Sequence, residues 1–261
     1  MLKMAVMIKQ VPDSQDITID PVTKTLNRTQ ARNIVNPPDM NALEAALQLK
    51  DKYGGEITVI TMGPPMADSA LLECTSRGAD KAVLVTDRVF AGADTWPTSF
   101  TLATTAEYLG GFDIIFCGEE TTDSSTGHVG PGIAEFLGVE QATYIHSIDY
   151  QDPYFIVERE IEGAVETLKI GKPAVVTVVL NANNPRRPTL KRKIEAFRKG
   201  VTTITNKELK LRPECVGLKG SPTVVKDMKT MVDKPKDTVK ISPDEIPKVV
   251  EVLYQRGIVK C

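Results

Sequence analysis

Short β-branched runs alternate with capped helical segments through the first two thirds of this chain, and few folds accept that order. Residues 4–8, 57–61, 82–86, 114–117 and 142–146 read as strands. Between them, residues 39–53, 67–77, 95–109 and 130–137 read as helices. Asp39 follows Pro37-Pro38 and is the expected cap of the first helix, which Gly54 can end. Leu43, Ala46 and Leu47 then share one face. Thr95 is the expected cap of the third helix, with Pro97 in its first turn. Such an order implies a doubly wound, mostly parallel α/β sheet with helices on both faces. Right-handed crossovers then gather ligand sites at the carboxyl ends of the strands.

The character changes further on. Residues 155–161 and 164–170 read as a hairpin around Glu162-Gly163, and 174–180 as a central strand. Asn184-Pro185-Arg186 makes a corner before a basic helix with Pro188 in its first turn. Leu190, Ile194 and Phe197 fall on one apolar face, ringed by Lys191, Arg192, Lys193, Arg198 and Lys199. Three readings stay open: a helix facing the core, a membrane or nucleic-acid contact, and a docking element for a protein. The stretch is short and lacks interleaved aromatics. After Thr202, prolines and glycines punctuate a polar segment. A final helix is expected over 244–256, capped by Ser242, with Ile246, Val249, Val250 and Leu253 as its apolar face. The expected organisation is an α/β domain over 1–200, including a docking segment at 184–199. A C-terminal extended arm and helix follow over 201–261 and would need a partner surface.

Composition narrows the function classes. The 261 residues carry a net charge of -2, so the surface as a whole is not built for nucleic acid. Cys74, Cys117, Cys215 and Cys261 have no zinc spacing, and Cys74 and Cys117 sit in apolar patterns as expected reduced core residues. With His128 and His146 as the two histidines, no metal centre is expected. No apolar run approaches the ~20 residues of a membrane helix. The opening MLKMAVMIKQV lacks the apolar run of a signal peptide, so a cytoplasmic location is expected.

Two loops could bind a ligand. Gly63-Pro64 lets backbone approach a ligand just after a strand. Residues 123–132 form a Ser/Thr/Gly-rich turn opening a helix, which is either a phosphate cradle or an ordinary capped turn. There is no GxGxxG after the first strand and no Walker A motif. Asp113, Glu119, Glu120 and Asp123 have nothing to fix them as metal ligands. No nucleophile–base set is legible, so no catalytic side chain is expected.

Several motifs together resemble the electron-transfer flavoprotein beta subunit. They are A-V-M-I-K-Q-V-P-D near the start, N-P-P-D-x-N-A-L-E-A-A-L, M-G-P-P, the Asp123 loop ending in V-G-P, V-E-R-E-I-E-G-x-x-E-T-L, P-A-V-V-T-V and N-x-P-R-x-x-x-L. The resemblance runs to about residue 200 and is strongest over 157–190. It implies a Rossmann-like, adenine-nucleotide-binding fold. It places Met7 and Lys9 beside adenine, Asn36 and Met62 beside the nucleoside, and Asp123, Thr126, Gly127, His128, Val129 and Gly130 around ribose and phosphates; Gly63 joins them as a cofactor-binding candidate. The chain departs from many members at Glu119-Glu120, where they carry Lys-Gln, and at His128, where they carry Gln.

T-D-R-V-F-A-G-A-D-T at 86–95 resembles the electron-bifurcating members. This adds Arg88, Asp94 and Thr95 as contacts for FAD, with AMP as the alternative and NADH as electron donor. The resemblance further implies an alpha-subunit partner and a flavin-containing dehydrogenase. The dehydrogenase would meet Pro185, Arg186, Leu190, Lys191, Arg192 and Ile194, with Leu190 inserting. Electron transfer would occur only in the heterodimer or a larger complex. No nucleic acid or membrane insertion is expected. The rival reading is an adenine-nucleotide-binding sensor of the universal-stress type.

Overall fold

The computed structural model describes residues 1–13, 18–19, 26–27, 32–224 and 241–259. In chain order the elements begin with β1 (Leu2–Met7), β2 (Gln10–Pro12), β3 (Thr18–Ile19), β4 (Leu26–Asn27) and β5 (Asn33–Val35). Then come α1 (Pro37–Tyr53), β6 (Gly55–Met62), α2 (Asp68–Arg77), β7 (Lys81–Val85), α3 (Thr95–Tyr108), β8 (Ile114–Gly118) and α4 (Val129–Leu137). The chain continues through β9 (Glu140–Gln151), β10 (Tyr154–Ile161), β11 (Ala164–Gly171), β12 (Ala174–Val178) and α5 (Leu190–Lys199). It ends with β13 (Thr202–Ile204), α6 (Asn206–Leu209), α7 (Gly217–Gly220) and α8 (Ile246–Gln255).

One nine-stranded sheet carries the fold, in the order β11-β10-β9-β12-β8-β1-β6-β7-β13. The strands from β12 to β13 run parallel, and β9 joins β12 in parallel before folding back through β10 and β11 as an antiparallel meander. Alternation along β1 explains the two-sided core. Met4 and Val6 pack with Leu43, Leu47, Leu71 and Cys74 of α1 and α2. Ala5 and Met7 pack with Leu102, Ala106, Ile133 and Ala134 of α3 and α4 on the other face. From β1 the chain steps outward to β6 and β7, then returns to place β8 on the other side of β1. Strand order therefore reverses at β1, and a crevice opens above the carboxyl ends of β1 and β8.

Four expectations change. Asp39 does not cap α1: Asn36 holds the N-cap position, and Asp39, in the first turn, turns its buried carboxylate across the sheet end. Asp94, not Thr95, caps α3 by accepting from the Trp96 amide. Pro188 lies outside α5, whose cap is Thr189. The segment after Thr202 begins inside the α/β unit and not as a separate arm, because β13 adds to the edge of the sheet beside β7. The first compact unit runs from Met1 to Lys226. In the second, Ser242 and Glu245 form a capping box ahead of α8; residues 225–240 of the arm and Cys261 lie outside the described residues. Among the described residues no helix is long and apolar enough to cross a membrane, and no cluster of side chains could hold a metal.

Candidate functional site

The crevice is a cavity of about 870 Å³. That is near the top of the roughly 300–1,000 Å³ range of small-molecule sites and leaves room beyond a mononucleotide. Its walls come from the ends of the parallel strands and the loops after them. Met7 ends β1 and Lys9 follows it, Met62 ends β6 and Gly63 follows it, and Arg88 follows β7. Asp94 and Thr95 open α3. Thr126, Gly127, His128, Val129 and Gly130 lead into α4, whose first N–H groups have no intrahelical acceptor. The sequence candidates thus meet around one space, except Asn36 and Asp123, which are not among its lining residues.

Asn36 and Asp123 act from behind and beside the wall. Asn36 is fully buried. Its amide Nδ2 donates to the Glu120 carbonyl at 2.8 Å, and its Oδ1 accepts from the Thr122 amide at 3.1 Å. Asp123 pairs with the Lys9 ammonium at 2.7 Å. Burial acts upward on the Asp123 carboxyl, but Lys9, Thr121 and Ser124 outweigh it and hold the group below its usual range. This pair ties the loop after β1 to the loop after β8, and Lys9 brings a positive charge to the cavity.

The residue that sequence reasoning misplaced is Asp39, which lines the cavity floor. Its carboxylate accepts from the Lys9 amide at 2.7 Å, the Gly118 amide at 3.2 Å and Asn36 Nδ2 at 3.0 Å. Burial pushes its pKa up to about 7, against the pull of these donors. Gly118 makes the contact possible, since a Cβ there would lie 2.3 Å from the Asp39 carboxylate. Gly130 has a similar need: a Cβ would lie 2.5 Å from a Thr177 methyl and lift α4 off β12. The signal available in sequence was P-P-D directly before a helix, which fits a cap equally well.

Other details bear on an anionic ligand. The Glu119 carboxylate accepts from the Leu180 amide at 2.7 Å, so it has a partner within the fold. Asp94 is also committed: beyond its cap it accepts from the Thr223 amide and hydroxyl at 2.9 and 2.7 Å, and Thr223 lines the cavity. Cys117 reaches the wall, but burial raises its thiol and that of Cys74, keeping both protonated. The cavity therefore offers a glycine-rich helix start, Lys9 and Arg88, and apolar surface from Met7, Met62 and Leu102.

The second candidate is α5. It packs on α2 through the buried Ala196, while Leu190, Ile194 and Phe197 are 74%, 46% and 73% exposed. The core-facing reading fails, because the apolar face points to solvent. Lys191, Arg192 and Lys193 are exposed beside it, and Pro185 is half-buried at the corner. Arg186 and Arg192 make contacts inside the fold: Arg186 binds Glu44, and Arg192 donates to the Arg77 carbonyl at 2.9 Å.

A family model described as "Electron transfer flavoprotein domain" matches residues 23–209. The chain is 44% identical over 225 residues to an electron transfer flavoprotein subunit beta of Thermoanaerobacterium thermosaccharolyticum, covering 86% of each chain. It is 45% identical over 233 residues to protein FixA of Rhizobium meliloti, covering 86% of this chain and 80% of FixA. It is 40% identical over 225 residues to the caffeyl-CoA reductase-Etf complex subunit CarD of Acetobacterium woodii, covering 86% of each.

Proposed function

The chain belongs to the electron transfer flavoprotein family as a beta subunit acting in electron transfer, and we propose that it binds FAD in the cavity above β1 and β8. It does so as half of a heterodimer with an alpha subunit, against which helix α8 of the C-terminal arm packs. The single observation that carries the proposal is the cavity itself: it is larger than AMP needs and extends from Met7 and Lys9 across to Arg88 and Thr95. Adenine lies against the apolar surface of Met7 and Met62. The pyrophosphate lies at the start of α4, where Gly127 and Gly130 let backbone N–H groups approach. Asp39, Asn36 and the Lys9–Asp123 pair fix the loops that hold it. Flavin bound there supplies the electron-accepting chemistry, and the protein contributes position, charge and exclusion of water.

NADH is the proposed donor, and electrons leave along two routes as in flavin-based bifurcation. The relative from A. woodii is named as part of a reductase–Etf complex. By analogy, a flavin-containing dehydrogenase docks on α5 here, with Leu190 and Ile194 as apolar anchors inside a ring of cations. Anaerobic titration of the purified heterodimer with NADH tests the reading. Direct bleaching of one flavin per heterodimer is expected. No bleaching would restrict the subunit to electron transfer without NADH.

A further inference from the structure

We propose that Glu44 of α1 is a positioning residue for docking, clamping the corner before α5 so that the helix keeps its apolar face outward. The proposal rests on the reading of α5 as the dehydrogenase-docking helix and assigns what holds that helix in place.

Glu44 is 5% exposed and lies in the second turn of α1. Its carboxylate receives three hydrogen bonds from one residue of the corner. Arg186 donates from its backbone amide at 3.0 Å, from Nε at 2.9 Å and from Nη2 at 3.0 Å. The same guanidinium reaches Asp51, two turns further along α1, at 2.8 Å. Asn41 and Asn183 add a reciprocal pair: Asn41 Nδ2 donates to the Asn183 carbonyl at 2.9 Å, and Asn183 Nδ2 donates to the Asn41 carbonyl at 2.9 Å. From α2, Arg77 donates to the Arg186 carbonyl, and the Arg77 carbonyl accepts from Arg192 of α5. The corner is thus held through its backbone at two consecutive groups, the Arg186 N–H and C=O.

This arrangement exceeds what keeping the segment on the surface requires. With Leu190, Ile194 and Phe197 facing solvent, α5 has Ala196 as its buried residue. Hydrophobic burial is too small to fix the helix, and polar contacts from α1 and α2 take its place. Arg186 is therefore occupied within the fold: its fork fits a carboxylate in two places, which a lysine cannot copy. Holding the helix before the partner arrives lowers the ordering cost of association. Helix α1 also carries Asp39 in its first turn, so the cavity floor and the docking corner share one rigid element.

The test uses the heterodimer and, as probe, the reductase component of the A. woodii caffeyl-CoA reductase-Etf complex. Hydrogen exchange over 183–199, nucleotide content, melting temperature and electron-transfer rate to the probe are measured for wild type, Glu44→Gln, Arg186→Lys and Leu190→Ala. For Glu44→Gln and Arg186→Lys, exchange over 183–199 should rise at least tenfold and transfer should slow at least fivefold. Exchange over 118–130 and nucleotide content should stay at wild-type values. Leu190→Ala should slow transfer without raising exchange. If Glu44→Gln does not fold, the double variant Glu44→Met/Arg186→Met removes both charges together and should show the same rise in exchange. Unchanged exchange in the clamp variants overturns the proposal. So does faster exchange with full transfer rates while Leu190→Ala is slow, which leaves the docking reading intact. Leu190→Ala at full rate overturns the docking reading and the proposal with it.

Discussion

The cavity above β1 and β8 and the surface of α5 are built on opposite plans. The cavity is organised from inside. Asn36 and Asp39 are buried, and each hydrogen-bonds to loops far away in sequence, so the walls stand before any ligand arrives. On α5 the apolar side chains are exposed, and organisation lies in the polar contacts behind the helix. Binding in the first region depends on preformed concavity. In the second it depends on a few anchors that gain their value only when a partner excludes water. Substitutions should therefore act differently: in the cavity they should cost fold and ligand together, on α5 they should cost partner rates alone.

The largest expected effect is at Gly118. Gly118→Val puts side-chain atoms where the Asp39 carboxylate lies. Lys9, Gly118 and Asn36 would lose their shared acceptor, at about 1–3 kcal/mol for each unsatisfied buried group. The variant heterodimer should lose the beta-site nucleotide and melt well below wild type. Full nucleotide content in a stable Gly118→Val protein would break the contrast at its cavity end.

Next in size is a pH effect from Asp39. Its carboxyl ionises near 4 in the unfolded chain and at about 7 in the fold, because burial disfavours the charge. Between those values the native state holds a proton that the unfolded chain has released. This contribution to stability is fully present below pH ~4, declines as pH rises, and is gone above about pH 7, amounting to roughly 4 kcal/mol at most. Chemical denaturation from pH 4 to 8 should show a decline that Asp39→Asn removes. Equal slopes in both proteins would show that the floor carboxylate is not held as described.

Leu190→Ala should lower transfer to the dehydrogenase by roughly thirtyfold, the equivalent of about 2 kcal/mol for a central anchor. Melting temperature should stay unchanged, since that side chain is 74% exposed. A lower melting temperature with full transfer rates would make the helix part of the core and erase the comparison. The smallest effect belongs to the charge ring. Lys191→Glu with Lys193→Glu should slow association several-fold at low salt and little at high salt, as screening shortens the reach of exposed charges. Stopped-flow rates against ionic strength would measure it.

Sequence patterning carried the frame of the fold but not its braces. The parallel strands were legible because β-branched runs buried on both sides contrast with capped, periodic helices. The second half of β9 is not legible, because half-buried polar residues such as His146, Ser147 and Asp149 interrupt the apolar run after Ile145. β13 was hidden as a three-residue edge strand in a polar stretch. The loops that meet at the cavity followed from strand order and from the family resemblance. The roles of Asp39 and Arg186 did not, because their partners lie 79 and 142 residues away in the chain. Local sequence offers only nearby roles for such residues, a cap for one and a surface contact for the other. Three-dimensional closure supplies the real ones.

Acid extraction of the freshly purified heterodimer, with FAD and AMP quantified against protein, tests the central claim most directly. The account predicts two FAD per heterodimer, one of them lost in the Gly118→Val variant. One FAD with no adenine nucleotide beside it, or a ligand content unaltered by Gly118→Val, would contradict the assignment of the cavity above β1 and β8.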